Sequence, residues 1–136
     1  MSDQKRVVQL TVEGKVEGQM RPRTAKSGHV YSPRCKWREL VAKAWKDSGA
    51  ESYGKSPMYV EVHTHRRKPK RSNCEPESDI YKPDIDNILK ACLDGLVDAG
   101  AFDDDCQVMA AMIVKHSRVK MDENEQEWSQ ITIANL

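Results

Sequence analysis

Apolar and polar residues alternate along several short stretches of the chain, which is the pattern of a β-strand with one buried face. Three stretches follow it, namely Val7 to Glu13, Met58 to His65 and Trp128 to Ala134. The stretch from Val108 to Val119 begins with an apolar run and is predicted as a further strand. A hydrophilic segment at 120–126 separates the last two strands, so they are predicted to form a hairpin.

Two other stretches repeat their apolar residues at spacings of three and four, the pattern of an amphipathic helix. In the first, Ser32 is the expected N-cap, Pro33 the first helical residue and Gly49 the residue that ends the helix. Trp37 and Trp45 lie on its apolar stripe, so we expect them in the core rather than stacked on bases. The second helix begins after Pro83 and ends at Gly100. Its predicted buried face consists of Ile85, Ile88, Leu89, Cys92, Leu96 and Ala99.

The order β, α, β, α, β, β predicts a small α+β domain with a four-stranded mixed or mostly antiparallel sheet and two helices. A chain of 136 residues is enough for one domain, which should span residues 1–136. No apolar run reaches signal-peptide length or the roughly 20 residues that cross a bilayer, so we expect a cytoplasmic protein without a membrane partner. The four cysteines show no C-x-x-C pair and are expected to be reduced.

Charge is distributed unevenly along the chain. Residues 1–74 carry 17 Lys and Arg against 7 Asp and Glu, whereas residues 75–136 carry 5 against 14. A basic half suits a polyanion and an acidic half suits cations. An uneven distribution can also arise by coincidence in a small soluble protein.

Basic residues in two loop-like segments are candidate phosphate contacts, since guanidinium groups match phosphate oxygens and these segments have few apolar residues to bury. Solvated loops would have the same composition. Tyr59, Glu61, His63 and His65 share one face of their predicted strand, where the histidines suit either a metal pair or an exposed face. No Gly-rich phosphate cradle is present, so no nucleotide cofactor is expected. The candidate DNA-binding residues are Arg21, Arg23, Lys26, Arg66, Arg67, Lys68, Lys70 and Arg71.

The acidic residues of the second half cluster around the second helix. Pro83 favours a turn or a first helical turn, which puts Asp84 and Asp86 at the helix N-terminus, with Lys90 one turn after Asp86. The run at 103–105 alone is typical of a solvated loop. If the following strand returns past the helix start, however, this run faces the first pair, and only a hard divalent cation makes such a cluster tolerable. Oxygen ligands indicate Mg²⁺ or Mn²⁺.

The stretch from Lys82 to Val108 resembles the RusA family of Holliday-junction resolvases in its D-x-D-N at Asp84 to Asn87, its Lys90 and its D-D-x-Q-V at Asp104 to Val108. The segment Gly18 to Pro33 resembles the N-terminal segment of phage members. The resemblance implies a homodimer that cuts four-way DNA junctions. It also implies metal-binding aspartates at Asp84, Asp86 and Asp105, with Asp104 beside them, and a catalytic lysine at Lys90. Asp103 stands where an apolar residue is familiar in the family.

The mechanism inferred from these residues is in-line attack of a metal-activated water on a DNA phosphate, with Lys90 stabilising the transition state or orienting the water. The same chemistry would serve other branched substrates or plain duplex DNA. A non-catalytic DNA-binding protein is a further alternative, in which the aspartates only cap and charge the helix N-terminus, a placement that the helix dipole favours. Capping needs one carboxylate, whereas this chain brings two to the helix start.

Overall fold

The computed structural model describes residues 5–68 and 79–136. Both predicted helices are present, together with four long strands, a short two-stranded hairpin and a 3-10 helix. In chain order the elements are β1 (Val7–Glu13), β2 (Arg23–Thr24), β3 (Val30–Tyr31), α1 (Lys36–Ser48), β4 (Met58–His65), α2 (Ile85–Asp98), a 3-10 helix (Asp105–Gln107), β5 (Val108–Lys115) and β6 (Trp128–Asn135).

The four long strands form one mixed sheet in the order β1-β6-β4-β5. β6 runs antiparallel to both β1 and β4, whereas β5 runs parallel to β4. Parallel neighbours need a crossover connection, and α2 supplies it between β4 and β5. The small α+β domain with a four-stranded mixed sheet is therefore confirmed.

The predicted hairpin of the last two strands is wrong. β5 ends at Lys115 rather than Val119, and β6 inserts between β1 and β4 instead of pairing with β5. The intervening segment, 116–127, is much longer than the two to five residues of an ordinary hairpin loop. Val119 of this segment forms an isolated parallel bridge with Arg67, two residues beyond the end of β4.

The core lies between one face of the sheet and the two helices. β4 alternates strictly, with Met58, Val60, Val62 and Thr64 buried and the intervening residues half-exposed. Full burial of a large apolar side chain contributes about 1.5–3 kcal/mol, so these alternating contacts fix which face of the sheet the helices cover. The helices contribute Trp37, Val41, Trp45, Ile88, Cys92 and Leu96 to the same cluster.

α1 begins three residues later than the first predicted helical residue. Its N-cap is Cys35, which has extended backbone angles and a buried side chain, and no side chain caps the helix. Trp37 and Trp45 are core residues as predicted, and the Trp37 indole donates to Ser129 Oγ at 3.1 Å. Gly49 ends the helix in the left-handed conformation, as expected.

The two helices approach most closely at Gly95. A Cβ atom there would lie 2.6 Å from the carbonyl oxygen of Arg38 on α1, so the crossing requires glycine. The buried face of α2 follows the predicted period, with one exception. Ile85, in the first turn of α2, is 54 % exposed.

The described cysteines, Cys35, Cys92 and Cys106, are free thiols, while Cys74 lies outside the described residues. Across residues 5–68 and 79–136, no helix is both long and apolar enough to span a membrane.

Candidate active site

Asp84 starts α2 without capping it. Its backbone is extended and its carbonyl accepts the first helical hydrogen bond, from Ile88 N at 3.0 Å, but its carboxylate accepts none from the helix N–H groups. Asp84 and Asp86 are both exposed. These carboxylate oxygens therefore face solvent near the positive end of the helix dipole and remain available to a ligand.

Lys90 connects the two acidic parts of the sequence. Its ammonium donates to Asp94 Oδ1 at 3.2 Å within α2 and to Asp105 Oδ2 at 3.4 Å across to the 3-10 helix. The carboxylates of Asp94 and Asp105 raise the pKa of Lys90 above its ordinary value. Asp94 also lies 3.6 Å from Arg38 of α1, which fixes its position. The Lys90 ammonium is thus positioned by two carboxylates and still exposed to solvent.

The three adjacent aspartates have different roles. Asp104 is the N-cap of the 3-10 helix and forms a capping box with Gln107, accepting from Cys106 N at 3.2 Å. This N–H group lowers the pKa of the Asp104 carboxyl. The Gln107 amide in turn donates to the carbonyls of Gly54 and Ser56, which anchors the turn before β5. Of these three aspartates, only Asp105 contacts Lys90.

The expected cluster of Asp84 and Asp86 with the second acidic pair does not form within one chain. Among residues 5–68 and 79–136, no group of three or more His, Cys, Asp or Glu side chains is placed to hold a metal ion. Asp105 is joined to α2 through Lys90, which lies two turns after Asp84. The metal-ligand role of Asp84, Asp86, Asp104 and Asp105 remains a prediction.

A buried ionic cluster beside the α2 N-terminus was not predicted. Asp79, whose side chain is fully buried, accepts from Arg66 at 3.0 Å and Arg118 at 3.1 Å, and Lys115 Nζ lies 3.9 Å away. These residues come from three separate segments, so no local spacing connects them in the sequence. The available signal was a lone aspartate five residues before the D-x-D motif.

The candidate DNA-binding residues divide into two groups. Arg21, Arg23 and Lys26 are exposed in and around the β2–β3 hairpin, and in the described part of the chain no carboxylate pairs with them. Lys68 donates its backbone N–H to Val119 O at 2.9 Å. Two further candidates, Lys70 and Arg71, lie outside the described residues.

Arg66 and Arg67 are held by other groups of the protein rather than extending freely into solvent. The Arg66 side chain is only 12 % exposed because it pairs with Asp79. Arg67 donates a side-chain N–H to Glu125 O and its backbone N–H to Glu127 Oε2. Their contact with DNA remains a prediction.

The histidines of β4 stack on the open face of the sheet. His65 lies between His116 and Trp128, with ring centroids 4.4 and 3.9 Å apart. His63 Nδ1 is 2.7 Å from His116 Nε2, and its other ring nitrogen is 3.2 Å from Glu61 Oε2. Burial, followed by the neighbouring His116 and His63, lowers the pKa of His65. The histidine rings stack on one another, and among the described residues they are not part of any cluster that could ligate a metal ion.

Comparison with known proteins identifies one family over most of the chain. The family described as endodeoxyribonuclease RusA matches residues 13–129 of the chain. No curated protein matches the chain significantly.

Proposed function

The chain belongs to the RusA endodeoxyribonuclease family, and from this premise we propose that it is a Mg²⁺-dependent resolvase that cuts four-way DNA junctions by paired symmetric nicks. The observation that carries the proposal is the contact of Lys90 with Asp105, because it brings the D-x-D-N helix and the D-D-x-Q-V turn together at one exposed surface. Recombination and repair of DNA are the processes that such an activity serves.

The donor set fits a hard divalent cation. Asp84, Asp86 and Asp105 offer carboxylate oxygens only, which Mg²⁺ prefers and Mn²⁺ also accepts. When bound, the ion supplies a nucleophilic water at neutral pH and neutralises charge on the phosphate. Lys90 is positioned to stabilise the negative charge that develops on the phosphate, since its ammonium is a fixed, exposed donor. Asp104 orients the turn that carries Asp105.

A homodimer is part of the proposal, and the edge strand β5 supports it. Met109 is 73 % exposed and Met112 49 % exposed, with two exposed alanines between them. An uncharged apolar edge strand with unpaired backbone groups is a template for pairing with another strand. The absence of cations within the apolar run from Val108 to Val114 makes DNA a poor occupant. A second copy of β5, paired about a two-fold axis, satisfies both features.

This pairing would also account for the separation of the carboxylates within one chain. Asp105 starts the turn immediately before β5, while Lys115, the last residue of β5, holds the carbonyl of Pro83 next to Asp84. Antiparallel pairing of two β5 strands brings the start of one beside the end of the other. Asp105 would then approach Asp84 of the partner subunit, so that two equivalent sites form across one interface.

In the non-catalytic alternative the aspartates cap and charge the helix N-terminus. The Asp84 carboxylate forms no capping hydrogen bond, so only the interaction of its charge with the helix dipole is left for that role. Other branched DNA or plain duplex remains the rival substrate class, because the same metal chemistry would cut them. The expected cytoplasmic location is also part of the proposal, and the free thiols at Cys35, Cys92 and Cys106 agree with a reducing compartment.

The deciding experiment offers the protein end-labelled four-way junctions, flaps, forks and duplex in Mg²⁺. We expect paired nicks at symmetric positions on the junction alone. Asp84→Asn should abolish these nicks without weakening junction binding in the absence of metal. The matched control is Asp47→Asn, an exposed carboxylate on α1 whose ion-pair partner among the described residues is the exposed Lys43. Equal cleavage of flaps or duplex would contradict junction specificity, and full activity of Asp84→Asn would contradict the site.

A further inference from the structure

Lys115 ends β5 beneath the segment that leads into α2. Its side chain is only 12 % exposed, and the ammonium donates to Tyr81 O at 2.6 Å and to Pro83 O at 2.9 Å. The ammonium nitrogen also lies 3.9 Å from Asp79 Oδ1. A lysine ammonium has three donors. Here two of them bind the backbone immediately before Asp84, and the third faces the buried carboxylate.

The same segment is held from a second side. Arg118 donates to Asp79 at 3.1 Å, and its guanidinium lies 5.1 Å from the centre of the Tyr81 ring. Arg66 completes the cluster, although its buried Nε atom has no partner among the described residues. Three cations therefore surround one buried carboxylate and fix residues 79–83 against the end of β5.

Packing alone does not require this arrangement. Burying a charged group costs free energy that a well-packed apolar residue would avoid, so ion pairs of this kind are a poor means of stabilising a fold. An apolar side chain could not orient this backbone, whereas the Lys115 ammonium holds the carbonyls of Tyr81 and Pro83, two residues apart, at one nitrogen. The orientation of the peptide groups entering Asp84 follows from that constraint.

We propose that Lys115 is a positioning residue for the metal site: it fixes the backbone of Tyr81 and Pro83 so that Asp84 and Asp86 present their carboxylates in one orientation at the start of α2. The inference rests on the proposed function, since it assigns these carboxylates to a metal. Groups that orient metal ligands typically change metal affinity by about 10–100-fold when they are removed. Lys115 should therefore act on metal affinity rather than on DNA binding.

The test uses the full-length chain and Mn²⁺ alone, titrated by calorimetry without DNA. Lys115→Met keeps the aliphatic stem but removes the donors, and should weaken Mn²⁺ binding at least tenfold. The Mg²⁺ concentration for half-maximal cleavage should rise by a similar factor. Junction binding without metal should stay within twofold. The matched control is Lys120→Met, which removes the same charge from an exposed position and should leave Mn²⁺ binding unchanged.

Lys115→Gln provides the second variant, because its amide retains two N–H donors for the two carbonyls while lacking the charge. We expect Mn²⁺ affinity between those of the wild type and Lys115→Met, and this comparison decides the matter if Lys115→Met does not fold. Mn²⁺ affinity within twofold of the wild type in a folded variant, with only the unfolding temperature lowered, would overturn the inference. A wild-type chain that binds no Mn²⁺ and cuts no junction would instead overturn the proposed function.

Discussion

Lys90 is held between two carboxylates that are eleven residues apart in sequence, Asp94 and Asp105. Because both raise its pKa above the ordinary value of 10.5, the ammonium remains protonated through neutral and moderately alkaline pH. A residue in this state can stabilise an anion or orient a water molecule, but it cannot act as a general base at pH 7. The charge that it provides is therefore constant over the working range.

Replacing Lys90 with alanine should lower kcat for junction cleavage by about 10²–10³, the cost of removing one preorganised transition-state donor. Junction affinity should change little, because a single exposed charge adds little to ground-state binding. In the wild type, kcat should show no decline from loss of the Lys90 proton between pH 7 and 9. Single-turnover rates and binding isotherms measure both quantities.

Lys43→Ala is the matched control for Lys90→Ala. Lys43 forms the same type of pair, with an aspartate four residues later, on the exposed side of α1. Such pairs contribute about 0.3–0.5 kcal/mol to stability, so both variants should fold alike. If junction affinity fell as far as kcat in Lys90→Ala alone, Lys90 would be an ordinary phosphate contact.

At the scale of single residues, the sequence identified the candidate chemistry but not its arrangement. The placement of Asp84, Asp86 and Lys90 in the first turns of α2 could be predicted, because helical spacing depends only on neighbours in the chain. The sequence does not show which of Asp104 and Asp105 faces Lys90. Asp104 is occupied by a capping box with Gln107, whose amide also binds the distant carbonyls of Gly54 and Ser56. Lys115 could not be predicted, because its partners belong to another segment.

At the scale of elements, the ring stack of His65 on β4, Trp128 on β6 and His116 just after β5 predicts a free energy of unfolding that depends on pH. The pKa of His65 is lowered, so the unfolded chain binds a proton more readily than the folded chain does. The free energy of unfolding should therefore fall as pH decreases through about 6.5, the ordinary value for histidine. Stability is retained at higher pH, where the ring is neutral in both states.

His65→Gln should reduce this pH dependence. The urea midpoint of the wild type should drop between pH 7.5 and pH 5.5, and the drop should be smaller in the variant, because one shifted group has been removed. His29→Gln, at an exposed position in the β2–β3 hairpin, should behave like the wild type. Equal drops in the wild type and both variants would show that the stack does not contribute.

Elements that depend on their own periodicity were predicted well. The strands Val7–Glu13 and Met58–His65 have the bounds predicted from alternation, because each buries one face against the helices. The pairing of β5 was not predictable in this way. The apolar run of β5 would suit pairing with either β4 or β6. The crossover through α2 places β5 parallel to β4, and this connection is not visible in the strand's own pattern. α1 starts at Lys36 rather than Pro33, and its N-cap Cys35 is a buried residue without a capping side chain, which local sequence signals do not predict.

At the scale of the whole molecule, exposed basic residues should determine the salt dependence of DNA binding. Arg21 and Arg23 are free of carboxylate partners in the described part of the chain, unlike Arg66. Neutralising both should lower the slope of log K against log salt by about 1.8, at roughly 0.9 per lost phosphate contact. The double variant Lys43→Ala, Lys46→Ala removes equal charge from α1. An equal loss of slope there would indicate a general field rather than local contacts.

The apolar edge of β5 should determine the oligomeric state. Met112→Lys places a charge on the exposed edge, where it opposes strand pairing but disturbs no core contact. Sedimentation should then show one chain instead of two, and junction cleavage should be lost. Val7→Lys, a comparably exposed position on the opposite edge strand β1, should stay dimeric and active. A dimeric Met112→Lys protein would exclude β5 as the interface.

Sites shared between subunits have a consequence that sites within one chain do not. Suppose Asp84→Asn and Asp105→Asn proteins, each inactive alone, are mixed and refolded together. If each site takes Asp84 from one chain and Asp105 from the other, one site of the mixed dimer carries both substitutions and the second site carries neither. One intact site would be restored by combining two inactive proteins.

On a plasmid that extrudes a cruciform, this mixed dimer should nick one strand and release nicked circles, whereas wild-type dimers should cut both strands and give linear molecules. Wild type mixed with Asp84→Asn should also add nicked circles, since one of the two sites survives. Two Asp84→Asn chains refolded alone are the control for contamination. If the two inactive proteins stay inactive after mixing while dimers form, each site must be built from one chain, and the pairing of β5 strands would not explain where the carboxylates stand.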